Sequence, residues 1–289
     1  MTSNEKLLAS EDSIRNPARG LQTPIALTIA GSDSGGGAGI QADLKTFSAQ
    51  GVYGASVITA VTAQNTQAVS AVHDIPAPVI RAQLTAVLDD LDVTTIKIGM
   101  LSSVEVITTV STVLREYTSI PIVLDPVMVA KSGDALLQPD AVQCLLEHLC
   151  PMATMITPNL PEAATLLQDS TATTLEQMQE QARRLASHTG KAVLVKGGHL
   201  AEAHSTDVLH LQDRFHHFES VRIDTGNTHG TGCTLSSAIA AQLALGKPIV
   251  DAVSAAEHYV HEAIKAADQL SVGRGHGPVH HFHQWWTKR

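Results

Sequence analysis

The sequence is short of three things: cysteines, runs of basic residues and long apolar segments. Three cysteines without CxxC spacing predict neither a disulfide framework nor a zinc site, and they favour the reducing cytoplasm. With no Lys/Arg run and a formal net charge of -9, the chain is not expected to bind nucleic acid. No apolar run reaches the roughly 18 residues of a membrane span, and residues 1–22 are unlike a signal peptide, so no membrane association is expected.

A chain of 289 residues is long enough for one large α/β domain or two small ones, and no interdomain linker stands out. Short apolar runs alternate with helical patterns, which predicts that residues 23–289 form a single domain around one doubly wound, mainly parallel sheet. Residues 206–211 and 214–223, joined at Gln212 and Asp213, predict a hairpin at the sheet edge. Residues 1–22 lack a periodic apolar face and are predicted to be a disordered tail.

The sequence NTHGTGCT at residues 227–234 joins a glycine-rich turn to a predicted helix over residues 233–246. Gly230 and Gly232 allow successive N–H groups around Thr231 to converge at the helix N-terminus, where the helix dipole favours a phosphate. The same field favours the thiolate of Cys233, which would make this residue a base or a nucleophile. The alternative is a Thr-capped helix start with a buried small residue at position 233.

Three candidate residues follow strands in the first part of the chain. The strand at residues 25–30 enters a glycine-rich turn, and Asp43, at the edge of the apolar face of the next helix, either reaches a ligand or bonds nearby backbone. Gln64, after the strand at residues 56–62, carries an amide suited to an aminopyrimidine edge, although loop amides often bond backbone instead. Met100, after the strand at residues 95–98, either lines a pocket or fills the core.

Further polar residues follow later strands. Asp125, after residues 121–124, either holds Mg²⁺ near transferred phosphates or starts a turn before proline. Asn159 and Glu162 have capping-box spacing, which explains the pair without any ligand. Lys196, after residues 192–195, either reaches a nucleotide or is a solvated loop charge.

Four histidines lie in the C-terminal segment at residues 275–286. No cysteine or carboxylate with matching spacing accompanies them, so they are not predicted to form a metal site. The two tryptophans of the same segment favour docking onto the rest of the protein.

Together and in this order, the motifs resemble those of the hydroxymethylpyrimidine/phosphomethylpyrimidine kinases of thiamine biosynthesis, a family of the ribokinase-like superfamily. The resemblance covers residues 25–286. Its motifs are AGSD (30–33), GGAGIQADLKT (36–46), TAQNT (62–66), KIGM (97–100), LDPVM (124–128), AKSGD (130–134), TPNLPEA (157–163), KGGH (196–199), NTHGTGC (227–233) and GPVHHFH (277–283).

The resemblance implies a ribokinase-like three-layer α/β/α fold and a role for each candidate residue. Asp43 and Gln64 are expected to contact the pyrimidine, with Met100, Val127 and Gly31 around the ring. An anion hole is expected at Gly230, Thr231, Gly232 and Cys233. Around the triphosphate, the resemblance implies Asp125 and Glu162 near Mg²⁺, and Asn159, Lys196, Thr225 and His229 near the nucleotide.

The implied reaction is transfer of a phosphoryl group from ATP to 4-amino-5-hydroxymethyl-2-methylpyrimidine, and then to its monophosphate, with Cys233 taking the hydroxyl proton. Wider superfamily members usually carry aspartate where this chain has Cys233. Relatives often carry lysine where this chain has Gly226, which bears on nucleotide affinity. The alternatives are a pyridoxal kinase and a non-catalytic pyrimidine-binding sensor. Oligomeric state is left open, with a homodimer as one alternative.

Overall fold

The computed structural model describes residues 22–130, 133, 136–198 and 204–286. Within them, nine strands form one sheet: β1 (Ile25–Asp33), β2 (Tyr53–Gln64), β3 (Val69–Asp74), β4 (Thr95–Ile98), β5 (Ile122–Leu124), β6 (Met155–Ile156), β7 (Ala192–Val195), β8 (His204–Leu211) and β9 (Arg214–Val221). Their order is β3-β2-β1-β4-β5-β6-β7-β8-β9. The six central strands, in the spatial order β2-β1-β4-β5-β6-β7, pair in parallel. At the two edges, β3 pairs antiparallel with β2, and β8 pairs antiparallel with both β7 and β9. The predicted mainly parallel sheet is confirmed.

Helices cover both faces of this sheet. The α-helices of the described residues are α1 (Gly39–Ala49), α2 (Ala77–Leu88), α3 (Val104–Leu114), α4 (Ala141–His148), α5 (Leu160–Leu167), α6 (Leu175–Thr189), α7 (Thr231–Ala244) and α8 (Ile249–Lys265). Apolar side chains of α2 to α6 share one buried cluster with the sheet, and those of α1, α7 and α8 share a second. The fold therefore has the three α/β/α layers that the resemblance implied.

The central strand β4 shows how the alternation of side chains divides these layers. All four of its residues are buried, and Ile96 and Ile98 join the cluster of α2 to α6. Because side chains alternate along a strand, Lys97 emerges on the opposite face, where its ammonium meets Asp43 of α1. A lysine in the middle of a strand covered on both faces requires such a partner.

The predicted edge hairpin is confirmed as β8 and β9. Its two turn residues, Gln212 and Asp213, have positive φ angles of 50° and 58°, as a two-residue hairpin turn between twisted strands requires. β3 is absent from the sequence prediction. Nearly all of its residues are exposed, so it lacks the apolar alternation that identifies half-buried strands. At the other end of the fold, α8 ends at Lys265 and a 3₁₀ turn over Ala267–Gln269 follows.

The C-terminal segment docks onto α1, as its tryptophans predicted. Trp285 donates its indole N–H to the Ala49 carbonyl at 3.0 Å, and the rings of Phe282 and Trp286 stack 5.6 Å apart. The predicted tail lies almost wholly outside the described residues, which begin at residue 22. Among the described helices, none combines the length and the apolar character needed to cross a bilayer.

Candidate active site

A cavity of about 880 Å³ opens at the carboxyl ends of the parallel strands. β1 lies between β2 and β4, so the direction of strand addition reverses beside β1. Open α/β sheets bind ligands in the crevice that such a reversal creates. The candidate residues that line this cavity are Gly31, Gln64, Met100, Asp125, Val127, Asn159, Glu162, Lys196, Thr225, His229, Gly230, Thr231, Gly232 and Cys233.

The glycine-rich turn before α7 brings backbone amides to the cavity wall. α7 begins at Thr231, and Gly230 precedes it with φ 80°, a left-handed conformation that favours glycine. A Cβ at Gly230 would lie 1.9 Å from the Gly37 carbonyl oxygen, so a side chain is excluded sterically as well. The amides of a first helical turn lack intrahelical acceptors, and here they adjoin the cavity. This arrangement suits an anion, and the anion hole expected at these residues stays a prediction.

Gln64, Gly31 and Met100 form the end of the cavity beside β1 and β2. The Gln64 side-chain oxygen accepts a hydrogen bond from the Thr62 hydroxyl at 3.1 Å, so this amide is oriented by a neighbouring side chain. A Cβ at Gly31 would lie 2.9 Å from the Met100 sulfur, so the absence of a side chain lets the thioether pack against the backbone. Met100 is 8% exposed, and it both fills the core and lines the cavity.

Asp43 is not among the residues that line the cavity, and its expected contact with the pyrimidine stays a prediction. Its carboxylate is fully buried and accepts hydrogen bonds from Thr28 and Ser237, both at 2.6 Å, and from Lys97. Three neighbouring side chains thus occupy its oxygens, and Lys97 is the member of this cluster that reaches the cavity wall. Burial lowers the pKa of Lys97, but the combined attractions of Asp43, Cys233 and Asp125 outweigh burial and the net pKa is raised.

Asp125 and Lys196 form an ion pair at the opposite wall, with 2.7 Å between the ammonium nitrogen and a carboxylate oxygen. The Lys196 side chain is 14% exposed, so the alternative of a solvated loop charge is wrong. Burial raises the pKa of Asp125, but Lys196 and Lys97 outweigh that effect and the net pKa is lowered. Thr157 and Ser236 donate to the same carboxylate. An ionised acid and an ammonium group therefore meet beside the α7 amides.

Asn159 and Glu162 form the predicted capping box at the start of α5. The Asn159 side chain accepts from the Glu162 amide, and the Glu162 carboxylate accepts from the Asn159 amide, both at 2.8 Å. Burial, with Asp125 nearby, raises the pKa of Glu162 to about 7 despite the attraction of Lys196. Both residues also line the cavity, so their capping role is compatible with contact to a ligand there.

The expected thiolate at Cys233 is not what the structure favours. Burial raises the pKa of the Cys233 thiol to about 11, and Lys97 only partly offsets this effect. The prediction of a lowered pKa counted the helix N-terminus but not the desolvation of the sulfur within the fold. Part of the residue still faces the cavity, so the neutral thiol is accessible from it.

Two of the predicted nucleotide residues are held by other parts of the chain. Thr225 donates its hydroxyl to Asp268. His229 places its Nε2 3.0 Å from a carboxylate oxygen of Asp33. Both residues line the cavity, so these bonds orient them at its wall.

The sequence indicated no role for several residues that line the cavity, among them Asp33, Lys97, Asp207 and Glu257. For Lys97 the sequence held a usable signal, because a lysine between the two isoleucines of a buried strand requires a partner. Asp207 of β8 and Glu257 of α8 hydrogen-bond to each other, and burial raises the pKa of both, with Asp207 adding to the rise at Glu257. Nothing in the sequence connects these two positions. Across the described ranges, no group of three or more His, Cys, Asp or Glu side chains forms a metal cage.

Comparison with known proteins connects this geometry to a family. A family model described as phosphomethylpyrimidine kinase matches residues 33–280. A hydroxymethylpyrimidine/phosphomethylpyrimidine kinase of Rhizobium meliloti is 57% identical over 264 residues, covering 91% of this chain and 99% of that protein. The protein of the same description from Escherichia coli is 51% identical, covering 90% of this chain and 98% of its own.

Solved structures agree with these sequence matches. Phosphomethylpyrimidine kinase from Clostridium difficile is 45% identical with a TM-score of 0.74, covering 83% of this chain and 99% of that chain. Pyridoxal kinase from Bacillus subtilis, solved as an ADP complex, is 39% identical with a TM-score of 0.83, covering 90% of this chain and 98% of its own.

Proposed function

The chain belongs to the phosphomethylpyrimidine kinase family, and on that premise we propose that it phosphorylates 4-amino-5-hydroxymethyl-2-methylpyrimidine and then the resulting monophosphate, using ATP. The observation that carries this proposal is one shared cavity. Gln64 and Met100 line it together with the amides at Gly230 to Cys233 and with Lys196. A flat polar ring and a phosphate chain thus have suitable surroundings within reach of each other.

The ring is assigned to the end of the cavity lined by Gln64, Gly31, Met100 and Val127. The Gln64 amide has donors and an acceptor that match the amino group and ring nitrogen of an aminopyrimidine. Gly31 borders the ring there, and its lack of a side chain leaves room for the Met100 thioether beside it. Asp43 holds Lys97 beneath this end of the cavity, and its carboxylate is proposed to contact the ring from there.

The transferring phosphoryl group is assigned to the first turn of α7. Amides there stabilise charge on the phosphoryl oxygens, and loss of one such donor typically costs about 2.7 to 4 kcal/mol in kcat. Lys196 supplies a positive charge on the same side, and Thr225, His229 and Asn159 border the nucleotide. Cys233 takes the hydroxyl proton. Because burial raises the pKa of the Cys233 thiol to about 11, only the small thiolate fraction present at pH 7 can accept that proton, and the neutral thiol must first lose its own proton to solvent.

Mg²⁺ fits this site in the manner usual for nucleotides, through one or two carboxylates together with phosphate oxygens and water. Asp125 and Glu162 both line the cavity and provide the carboxylates. The ion would neutralise charge on the triphosphate. Asp125, already paired with Lys196, keeps its negative charge for this role, because the pKa of its carboxyl is lowered.

The state of the cysteines and the net charge support a cellular location and a class of partner. Cytoplasmic residence is supported by the free state of Cys144, Cys150 and Cys233. The net charge of -9 supports small-molecule partners rather than nucleic acid.

An assay of ATP consumption with three acceptors tests the function. The protein should produce ADP with both hydroxymethylpyrimidine and its monophosphate, and mass spectrometry should identify the pyrimidine diphosphate as the product. Pyridoxal should be phosphorylated more slowly. Pyridoxal as the better acceptor would instead favour a pyridoxal kinase, the activity of one of the similar solved structures. Tight pyrimidine binding without ADP release would indicate a sensor.

A further inference from the structure

Two glycine-rich turns from opposite ends of the chain lock together at the cavity. A Cβ at Gly37 would lie 2.3 Å from a ring carbon of His229, and one at Gly230 would lie 1.9 Å from the Gly37 carbonyl oxygen. The turn after β1 and the turn before α7 are therefore in direct contact, with no room for a side chain between them. Any displacement of one turn displaces the other.

Asp33 is the polar centre of this contact. Its carboxylate accepts hydrogen bonds from the amides of Gly35 at 2.8 Å, Gly37 at 3.0 Å and Ala38 at 2.8 Å, all in the first turn. One of the same oxygens lies 3.0 Å from His229 Nε2, in the second turn. A single side chain, 2% exposed, thus organises the first turn and ties it to the second.

The charge of Asp33 matches this set of donors. Burial raises the pKa of its carboxyl, but the His229 hydrogen bond and the amides of Ala38 and Gly35 outweigh burial, and the net pKa is lowered. The carboxylate form accepts from every donor around it. Asparagine, its closest isostere, would turn one of the two acceptors into a donor and face N–H groups with an NH₂ group.

His229 also connects the two turns to a third segment of the chain. Its backbone amide donates to Gly277 at 3.0 Å, and its carbonyl accepts from Val279 at 3.4 Å. The C-terminal segment thus holds the main chain of His229 while Asp33 holds its ring. With both ends restrained, the residue before Gly230 has little freedom, and the start of α7 is fixed relative to β1.

We infer that Asp33 is a positioning residue that, through His229, fixes the amides at Gly230 to Cys233 relative to the ring-binding end of the cavity. The inference rests on the proposed kinase function for its catalytic consequence. Its structural content, the coupling of two turns, stands independently. Weakening the pair should misalign the phosphoryl group and the acceptor hydroxyl, and misplacement by about 1 Å costs up to roughly 100-fold in rate.

Asp33→Asn tests the coupling by hydrogen exchange, without any turnover. Exchange of amides in residues 228–235, nearly 200 positions away, should accelerate by roughly tenfold or more, as for loss of a charge-assisted hydrogen bond. His229→Leu should accelerate exchange in residues 34–39 in return. Asp169→Asn, which alters an exposed carboxylate paired with Arg184, is the matched control and should leave both segments unchanged.

Kinetics then separate positioning from general loss of structure. Asp33→Asn and His229→Leu should each lower kcat by about 10-fold to 100-fold with KM for the pyrimidine nearly unchanged, and the double variant should be no worse than the worse single variant. His229→Gln keeps a donor toward Asp33 and should retain most of kcat.

Unchanged exchange in residues 228–235 of Asp33→Asn would overturn the inference, as would additive losses in the double variant. If the exchange data show the coupling but the parent protein consumes no ATP, the proposed function is overturned and the coupling of the two turns stands.

Discussion

Lys97 and Asp43 form a fully buried ion pair, with the ammonium nitrogen 2.9 Å from each carboxylate oxygen. The pair joins the middle of β4 to α1, and Ser237 adds a contact from α7. Two helices and the sheet therefore meet at one charged cluster beneath the cavity. Removing one charge leaves the other buried and unpaired, which is far more costly than removing both.

Lys97→Met should lower the free energy of unfolding by about 3 to 5 kcal/mol, because Asp43 then keeps a buried charge without a counter-ion. Urea unfolding of the purified protein measures the loss. Lys97→Met combined with Asp43→Asn removes both charges and leaves an amide for Thr28 and Ser237, so it should recover part of the loss. A double variant as unstable as the single one would mean that packing, not charge, dominates at this position.

Cys233→Ala should lower kcat by roughly 10² to 10⁴ if the thiol takes the hydroxyl proton, because the substitution keeps the backbone amide and removes only the sulfur. With the pKa of the thiol near 11, kcat/KM should rise with pH above neutrality in the parent and lose that rise in the variant. Alkylation of Cys233, followed by mass spectrometry, should likewise be slow at pH 7 and accelerate toward pH 10. Turnover within a few-fold of the parent would leave the reaction to the amides of α7 alone.

Gln64→Leu should weaken binding of the pyrimidine by roughly tenfold to 100-fold, since a polar ring edge left unpaired costs about 1 to 3 kcal/mol. Calorimetry with hydroxymethylpyrimidine measures the dissociation constant. Gln67→Leu, which alters a neighbouring exposed amide outside the cavity lining, serves as the control. An unchanged constant for Gln64→Leu, with the melting temperature retained, would remove this side chain from the site.

Gly226→Lys should improve nucleotide binding. Nothing lies within 4 Å of a Cβ built at Gly226, so a side chain fits, and the flanking Thr225 and nearby Thr228 line the cavity. A lysine here would add one charge-assisted contact to phosphate, and KM for ATP should fall by several-fold to roughly tenfold. Gly226→Gln has similar reach without the charge and should change KM much less. If both variants match the parent, position 226 does not reach the phosphates.

Glu257→Gln should make stability less dependent on pH. Burial and Asp207 raise the pKa of Glu257 well above its usual 4.5, so the folded protein keeps a proton that the unfolded chain has lost. The free energy of unfolding therefore falls as pH rises from about 4.5 through the folded pKa. Glutamine stays neutral and can still donate to Asp207, so the variant should lose less stability between pH 5 and pH 8. Glu262→Gln, on the same helix, is the control, and parallel melting curves for Glu257→Gln and the parent would contradict the prediction.

Local patterns in the sequence were enough for most of the sheet and its helices. β4 at Thr95–Ile98 and β7 at Ala192–Val195 have the bounds that their apolar runs predicted. The Asn159 capping box and the hairpin turn at Gln212 and Asp213 also match, because each depends on residues within a few positions of one another. β3 was missed because an exposed edge strand carries no such pattern.

The sequence by itself therefore determined most of the elements, their order and the residues at the strand ends, since hydrophobic periodicity and turn chemistry act over short spans. Only the tertiary structure decided the partners of the charged residues. Asp43 meets Lys97 across 54 positions, and Asp33 meets His229 across 196. The pKa of Cys233 was likewise decided by burial among distant segments, because desolvation depends on what the fold packs around the sulfur and not on its neighbours in the chain.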